Sequence, residues 1–339
     1  MAYIAEQTER GGKYYLILDE VQRLESFELV LNGYLSKGNM DIYVTGSNSK
    51  FLSTDVITEF RGRGDEIHVM PLAFSEYYRY ASGSIERCLD EYMTYGGLPR
   101  VALANDDEER MSYLSAQMEG TYLKDVIERN KIRSTEELEE LLNILASGIA
   151  ALTNPSKLEK RFKSEKKAKL TADTIGKYIG YLQEAFIVDK AMRYDVKGKA
   201  YISTPYKIYF EDMGLRNARL DFRQVEFTHL MENAVYNELR YRGYKVDVGS
   251  VELREGDARK CLEVDFVANR GSMRYYIQSA YDIPTDEKFV QETKSLDAIP
   301  DSFKKIIVVN RNIVPRHTEK GYLVLSLSDF LLSENCLEW

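Results

Sequence analysis

Cysteine and histidine are scarce in this chain. Each occurs only three times in 339 residues, and Cys88, Cys261 and Cys336 lie far apart, without a C-x-x-C pair or a neighbouring histidine. Because a disulfide framework and a zinc site both need clustered ligands, neither is predicted. The three histidines are equally scattered and nominate no catalytic base.

Long apolar runs are also missing. A membrane-spanning helix needs roughly 20 consecutive apolar residues, and no segment approaches that length. The N-terminus lacks the charged and then apolar pattern of a signal peptide. With 44% hydrophobic and 29% charged residues, the composition favours a globular chain of two or three domains. We therefore expect a cytoplasmic protein with no membrane partner.

An excess of positive charge is missing overall but present locally. The net charge of −8 argues against a generally basic surface of the kind that binds nucleic acid. Residues 155 to 220, however, carry 15 Lys and Arg against 8 Asp and Glu, which is a local excess of 7 positive charges. This segment therefore differs from the rest of the chain.

The most informative stretch is an apolar run that ends abruptly in two carboxylates. Tyr14 to Leu18 has the composition of a parallel strand buried on both faces, and Asp19 and Glu20 follow it. Ligands of parallel sheets bind outside the carboxyl ends of the strands. In a nucleotide hydrolase the first carboxylate holds Mg²⁺ and the second orients or deprotonates the attacking water, which is the Walker B arrangement. The alternative is a strand that meets solvent at an acidic pair.

A second apolar strand is predicted over residues 41–48, and it ends in small polar residues. A helix over 26–35 is predicted between the two strands. Ser47 or Asn48 suits a group that senses a terminal phosphate or positions the attacking water. The alternative for Ser47 is that it caps the following helix.

Arg61 and Arg63 precede a third predicted strand at 66–72. Arginines in this place of an ATPase can supply a finger to the nucleotide of a neighbouring subunit, and such a role would require a homo-oligomer. Solvated turn arginines are the alternative, and the sequence does not favour either.

Five sequence blocks, in this order, resemble the prokaryotic AAA+-like ATPases that carry a C-terminal domain of unknown function. The blocks are LILDEVQ (16–22), TGSNS (45–49), FRGRG (60–64), MPLAFSEYY (70–78) and YGGLPRV (95–101). The resemblance extends over nearly the whole chain and implies an ATPase with ATP and Mg²⁺ as cofactors. It also implies a Walker B pair, a sensor and a finger, which fall on Asp19 and Glu20, on Ser47 or Asn48, and on Arg61 or Arg63.

The chain departs from that family near its N-terminus. No G-x-x-x-x-G-K-[ST] sequence occurs in the 339 residues, although such a loop supplies the backbone N–H groups and the lysine that hold the phosphates. Gly33 to Gly38 has the glycine spacing, but Asn39 and Met40 follow it. We therefore expect an AAA+ core that begins late, with weak or lost ATP binding.

Apolar stripes at helical spacing predict a helical lid over 84–150. A basic segment, a helix over 171–182 that begins with a threonine cap, and two apolar stretches around a Lys-Gly-Lys turn follow it. Helix, turn, helix and a two-stranded ribbon are typical of a winged helix, whose second helix enters the DNA major groove. A winged helix that packs against protein is the alternative. With the local positive charge, the pattern predicts DNA contact through Lys177, Lys197 and Lys199.

The last third resembles the core of the restriction-endonuclease-like nucleases. An amphipathic helix carries Glu232, and a hairpin-like pair of strands carries Asp265, Gln278 and Ala280. The resemblance implies that Glu232, Asp265 and Gln278 bind Mg²⁺, and that a lysine at position 280 assists the attacking water. Because position 280 is alanine, we expect weak or no cleavage and at best a residual site. The alternative is that Glu232 and Asp265 serve local hydrogen bonding.

The predicted architecture is α/β. It comprises an incomplete P-loop (AAA+) parallel-sheet core at 1–82, a helical lid at 83–150, a winged helix at 151–222 and a restriction-endonuclease-like α/β domain at 223–339. The predicted function is that of an AAA+-family ATPase-like protein that acts on DNA or on a partner protein. The alternative is a non-catalytic DNA-binding or protein-interaction adaptor built on the winged helix and a degenerate nuclease-like domain.

Overall fold

Two compact units make up the part of the chain that the computed structural model describes, which is residues 2–8, 12–21, 24, 26–47, 64–165, 170–255 and 258–339. The first unit is Met1–Val69 with Glu184–Phe186, and the second is Met70–Gln183 with Ile187–Trp339. Asn48, Arg61 and Arg63 lie outside the described residues, so a sensor at Asn48 and the arginine finger stay predictions. The domain boundaries at 82, 150 and 222 also stay predictions.

The first unit is built on two parallel strands joined by a helix. Its elements are helix α1 (Ala2–Gln7), strand β1 (Tyr14–Leu18), helix α2 (Phe27–Leu35) and strand β2 (Met40–Val44). β1 and β2 pair in parallel from Tyr14 opposite Met40 to Leu18 opposite Val44. Parallel strands need a crossover connection, and α2 supplies it. The two predicted strands and the helix between them are confirmed.

Helix α2 covers one face of this strand pair. Phe27 and Leu31 of the helix pack against Leu18 of β1. On the other face Tyr15 and Ile17 are 62% and 71% exposed. The prediction that this strand is buried on both faces is therefore wrong, because its side chains alternate between a covered and an open face.

Residues 66–72 do not form the predicted third strand. Residues 64–70 carry no regular secondary structure, and Ile67 and Val69 are 81% and 84% exposed. A strand exists only where a neighbour accepts and donates its backbone hydrogen bonds. The alternating apolar pattern indicates strand propensity at this place, but neither sheet of the described chain includes the segment.

Helices dominate the chain from residue 74 to residue 184. They are α3 (Phe74–Tyr80), α4 (Ile85–Tyr95), α5 (Pro99–Ala102), α6 (Asp107–Gln117), α7 (Lys124–Asn130), α8 (Thr135–Ser147), α9 (Pro155–Glu165) and α10 (Ala172–Glu184), with a π-helical segment, Met118–Leu123, between α6 and α7. Side-chain caps define several starts: Ser84 accepts from the backbone of Arg87, and Thr171 accepts from that of Thr174. The predicted helical region and the threonine cap are confirmed.

A mixed sheet of eight strands forms the rest of the second unit. The strands are β3 (Val188–Asp195), β4 (Ala200–Phe210), β5 (Lys245–Glu255), β6 (Ala258–Arg270), β7 (Met273–Ala280), β8 (Lys304–Val309), β9 (Arg316–His317) and β10 (Leu323–Ser326). Their spatial order is β4-β3-β5-β6-β7-β8-β10-β9. β5, β6 and β7 form an antiparallel meander, and β8 and β10 extend the sheet in parallel. The α/β class and the predicted β6–β7 hairpin are confirmed.

Helices cover both faces of this sheet. The remaining helices are α11 (Met213–Arg219), α12 (Phe227–Tyr241), α13 (Asp286–Asp297) and α14 (Leu327–Leu332). Leu230 of α12 and Phe330 of α14 join one core, and Leu296 of α13 joins the other. Ile306 and Ile307 of β8 enter different cores, because neighbouring side chains on a strand alternate between faces.

The part of the chain that the structure describes contains no helix that could span a membrane. None of its helices combines the length and the apolar character that crossing a bilayer demands.

A buried carboxylate holds the YGGLPRV block in place. Asp212, which is 3% exposed, caps α11 by accepting from the backbone N–H of Leu215 at 2.9 Å. Its other oxygen accepts from the backbone N–H of Gly97 at 2.7 Å. Burial raises the pKa of Asp212 to about 6, although the N–H groups of Leu215, Gly97 and Gly214 oppose the rise.

We expect Asp212 to make the protein less stable as the pH rises from about 4 to about 7. Its pKa is about 6 in the folded chain against an ordinary value of 3.8, so the folded state binds this proton more tightly than the unfolded state does. Such a difference lowers the free energy of unfolding by about 3 kcal/mol across that window.

Urea unfolding of the wild-type chain and of Asp212→Asn at several pH values measures this effect. The stability of the wild type relative to the variant should fall as the pH rises, whatever the variant costs at a single pH. A difference that does not change with pH would show that the carboxyl titrates normally in the folded chain.

Candidate functional site

Four polar side chains meet where β1 and β2 end. Thr45 donates a hydrogen bond from Oγ1 to Asp19 Oδ1, and Thr45 Oγ1 in turn accepts from the backbone N–H of Glu20 at 3.0 Å. Ser47 Oγ donates to Glu20 Oε2 at 3.2 Å. Both carboxylates of the acidic pair are therefore bound to hydroxyls that follow the neighbouring strand.

The strand register brings these residues together. Leu18 and Val44 are opposite each other, so the segments that follow them leave the sheet at the same edge. Backbone bonds continue beyond the strands: Thr45 N donates to Leu18 O at 2.9 Å, and Val21 N donates to Thr45 O at 3.0 Å. The backbone therefore fixes the place at which the four side chains meet.

The oxygen atoms at this edge are of a kind that could hold a metal ion. Carboxylate and hydroxyl oxygens are the hard ligands that Mg²⁺ prefers, and Asp19 and Thr45 are exposed to solvent, where a ligand can reach them. The sequence pointed to Asp19, Glu20 and Ser47. It missed Thr45, although Thr45 opens the TGSNS block that marked this position.

A second group of charges lies in the eight-stranded sheet. Lys207 of β4 is 3% exposed, and its Nζ lies 2.7 Å from Glu232 Oε1 on α12 and 2.7 Å from Glu263 Oε1 on β6. Asp265 Oδ1 lies 3.7 Å from the same nitrogen. Tyr209 OH donates to Glu232 Oε1 at 2.6 Å. We refer to these five residues as the Lys207 cluster.

Burial and charge together set the protonation of the cluster. Burial lowers the pKa of Lys207, but the three surrounding carboxylates outweigh burial and raise it above its ordinary value. Burial, and then the charge of Glu232, raise the pKa of Asp265 well above its ordinary value, against the opposing effect of Lys207. Near neutral pH the cluster therefore holds a charged ammonium, and Asp265 holds its proton more tightly than an ordinary aspartic acid does.

The three predicted metal ligands of this region have different surroundings. Glu232 and Asp265 meet around Lys207, and the second oxygen of Asp265 accepts from Ser279 N at 2.8 Å. Gln278 instead accepts at 3.5 Å from the hydroxyl of Ser295 on α13. Among the residues that the structure describes, no three or more His, Cys, Asp or Glu are grouped so that they could hold a metal ion. The metal role of the three residues stays a prediction.

Sequence reasoning missed Lys207, Tyr209 and Glu263. One signal for Glu263 was present, because it lies two residues before Asp265 on the same strand and such residues share a face. Lys207 and Tyr209 are likewise two residues apart on β4, so their side chains share a face. No local pattern, however, links β4 to α12 and β6.

The three predicted DNA-contacting lysines lie on α10 and in the turn between β3 and β4. Lys177 Nζ pairs with Asp173 Oδ2 at 2.7 Å, and Lys197 Nζ donates to the backbone oxygen of Glu252 at 2.6 Å. Lys199 is exposed in the turn. The structure thus gives two of the lysines local partners, and a DNA role for the three stays a prediction.

Two family models match this chain. A model described as an AAA domain matches residues 1–78, which include β1, β2 and the acidic pair. A domain of unknown function (DUF8612) matches residues 86–226. An AAA-like domain followed by a second domain is therefore confirmed, as the sequence blocks implied.

Relatives match the chain over almost its whole length. An uncharacterised protein of Haemophilus influenzae is 32% identical over 325 residues, which is 94% of this chain and 78% of that protein. An uncharacterised protein of Methanocaldococcus jannaschii is 26% identical over 327 residues, 93% of this chain and 71% of that protein. A crystal structure of a Vibrio cholerae protein aligns over 98% of this chain and 92% of that one, but the identity of 14% and the TM-score of 0.27 support no inference.

Proposed function

Because this chain belongs to the same family as the Haemophilus influenzae protein and has an AAA-like domain at residues 1–78, we propose that its first unit binds Mg-ATP at the common edge of β1 and β2. The observation that carries the proposal is the pair of hydrogen bonds that join Asp19 to Thr45 and Glu20 to Ser47. They hold two carboxylates at the same edge of the sheet, outside the carboxyl ends of parallel strands, where ligands of such sheets bind.

Each residue has a definite role in this proposal. Asp19 holds Mg²⁺ directly or through water, and Thr45 keeps its carboxylate in place. Glu20 orients or deprotonates the attacking water, and Ser47 fixes Glu20. When bound, the metal ion would neutralise part of the negative charge of the phosphates. Because these 339 residues contain no Walker A sequence, we expect the affinity of this chain for nucleotide to be weak.

Titration with a fluorescent Mg-ATP analogue tests the proposal. Asp19→Asn keeps the shape of the side chain but removes the charge that holds the ion, so binding should weaken by at least about tenfold, or about 1.4 kcal/mol. Asp41→Asn is the matched control, because Asp41 on β2 makes an exposed ion pair with Lys13 at 2.8 Å. Its binding should equal that of the wild type.

The same titration gives the results that would contradict the proposal. Asp19→Asn could bind as well as the wild type, or Asp41→Asn could weaken binding equally, which would mark a general charge effect. Glu20→Gln provides a further control, because an amide cannot accept the proton of the attacking water. This variant should bind nucleotide normally and hydrolyse it more slowly.

We further propose DNA binding as a second function, on the basis of the positive charge between residues 155 and 220. With the buried Lys207, Arg216 and Asp212 left out, this segment carries 13 Lys and Arg against 7 Asp and Glu, an excess of 6. Helices α9 and α10 and the hairpin of β3 and β4 follow each other there in the order of a winged helix. Lys177 lies on the second of these helices, and Lys197 and Lys199 lie in the turn of the hairpin.

The dependence of duplex binding on salt tests this second function. If the three lysines each contact a phosphate, replacing them all by glutamine should reduce the slope of log K against log[salt] by about 3. The matched control replaces Lys124, Lys288 and Lys320, which make ion pairs elsewhere on the surface. An equal loss in both triple variants would indicate net charge alone, and salt-independent binding would exclude phosphate contacts.

A further inference from the structure

The Lys207 cluster holds more negative than positive groups, and its side chains are largely buried apart from that of Glu263, which is 36% exposed. Lys207 and Asp265 are 3% and 7% exposed, and the side chain of Glu232 is 14% exposed. Three carboxyl groups from α12 and β6 face one ammonium. A buried carboxylate is costly unless a cation or a proton compensates it. The composition of the cluster therefore demands a cation.

The ammonium of Lys207 takes the central place among these oxygens. Its two contacts of 2.7 Å, to Glu232 and Glu263, have the length of charge-assisted hydrogen bonds. Mg²⁺ and Ca²⁺ bind oxygens at about 2.0–2.6 Å. The space between the carboxylates is thus occupied by Nζ, and its contacts have the length that suits an ammonium.

Other donors of the chain also bind oxygens of the cluster. Glu232 Oε1 also accepts from Tyr209 OH at 2.6 Å. Asp265 Oδ2 accepts from Ser279 N at 2.8 Å. A divalent ion would have to displace the lysine and compete with these bonds, which link β4, α12, β6 and β7.

We propose that Lys207 is a built-in cation that takes the place of a divalent metal ion, so that Glu232, Glu263 and Asp265 bind no metal while the lysine is present. The cluster is then closed to metal-dependent cleavage of phosphodiesters. The occupation of the metal position by Lys207 is a reason to expect no cleavage that does not depend on the alanine at position 280. Removal of the lysine should open the cluster to a divalent cation.

Calorimetric titration with Mn²⁺ tests this proposal on the full chain. The wild type and Glu263→Gln should bind the same number of Mn²⁺ ions, because the cluster contributes no site in either. Lys207→Ala should bind one additional ion, and Lys207→Ala/Asp265→Asn should lose it. Asp19 and Glu20 are unchanged in all four proteins, so binding at the first unit cancels in the comparison.

Three results would overturn the proposal. The first is a wild type that binds one more Mn²⁺ ion than Glu263→Gln does. The second is Mn²⁺-dependent DNA cleavage by the wild type that Asp265→Asn abolishes. The third is a folded Lys207→Ala variant with no additional ion. If Lys207→Ala does not fold without metal, recovery of its folded circular dichroism spectrum with Mn²⁺ supports the proposal. The comparison of the wild type with Glu263→Gln does not need this variant, and one more Mn²⁺ ion on the wild type overturns the proposal in that case too.

Discussion

Replacing Gly97 by alanine should destabilise the protein by about 3–5 kcal/mol. A Cβ at this position would lie 2.3 Å from the backbone oxygen of Leu72 and 3.1 Å from its nitrogen. Backbone atoms cannot move aside as a flexible side chain can. Two hydrogen bonds meet at the same residue: Leu72 N donates to Gly97 O at 2.8 Å, and Gly97 N donates to Asp212 Oδ2 at 2.7 Å. Any shift that relieves the clash weakens both.

Gly180→Ala is the matched control for this prediction. Gly180 lies inside α10, and an added Cβ would have no atom within 4 Å. Since alanine favours a helix over glycine by about 0.5–1 kcal/mol, the control should be neutral or slightly stabilising. Urea unfolding measures both variants. Equal stability of the two alanine variants would show that the segments carrying Leu72 and Gly97 separate at little cost.

Replacing Lys207 by methionine should cost about 3–5 kcal/mol, which is the usual result of removing one partner from a buried ion pair. Methionine fills similar space but leaves the carboxyl groups of Glu232, Glu263 and Asp265 without their ammonium. The side chain of Lys207 is 4% exposed, so water can replace few of the lost contacts and reaches the cluster mainly at Glu263, whose side chain is 36% exposed. The free energy of unfolding at neutral pH measures the loss.

The exposed lysine of α10 provides the control. Lys177→Met removes an ion pair with Asp173 in which the lysine side chain is 63% exposed, and such pairs contribute about 0.3–0.5 kcal/mol. Lys207→Met/Glu263→Gln should recover part of the stability lost in the single variant, because it removes one of the uncompensated carboxylates. If Lys207→Met were as mild as Lys177→Met, the cluster would be open to water.

The strands and most helices followed from local patterns. Tyr14 to Leu18 is an apolar run of strand length followed by an acidic pair, and that pattern was enough to predict β1 and to point to the candidate site. Thr171 marked the start of α10 as a cap. The segment at 66–72 has the same alternation but is no strand, since a strand depends on a partner elsewhere in the chain.

The candidate site was predictable only as far as neighbours in sequence determine it. Asp19, Glu20 and Ser47 were found because each follows a recognisable strand, and the parallel register explains why they meet. Thr45 was passed over, since its contact with Asp19 depends on how two strands align. The Lys207 cluster was found only in part, because its lysine comes from β4 and its carboxylates from α12 and β6.

The sequence by itself determined most of the elements, the position of the acidic pair after β1 and the local excess of positive charge, because these depend on composition and on spacings of a few residues. Only the tertiary structure decided that Lys207 lies between Glu232 and Glu263 and that Asp212 holds Gly97. The physical reason is the same in both cases. Buried charges take their partners from whichever segments the packed sheet and helices bring within hydrogen-bonding distance, and no local pattern encodes that proximity.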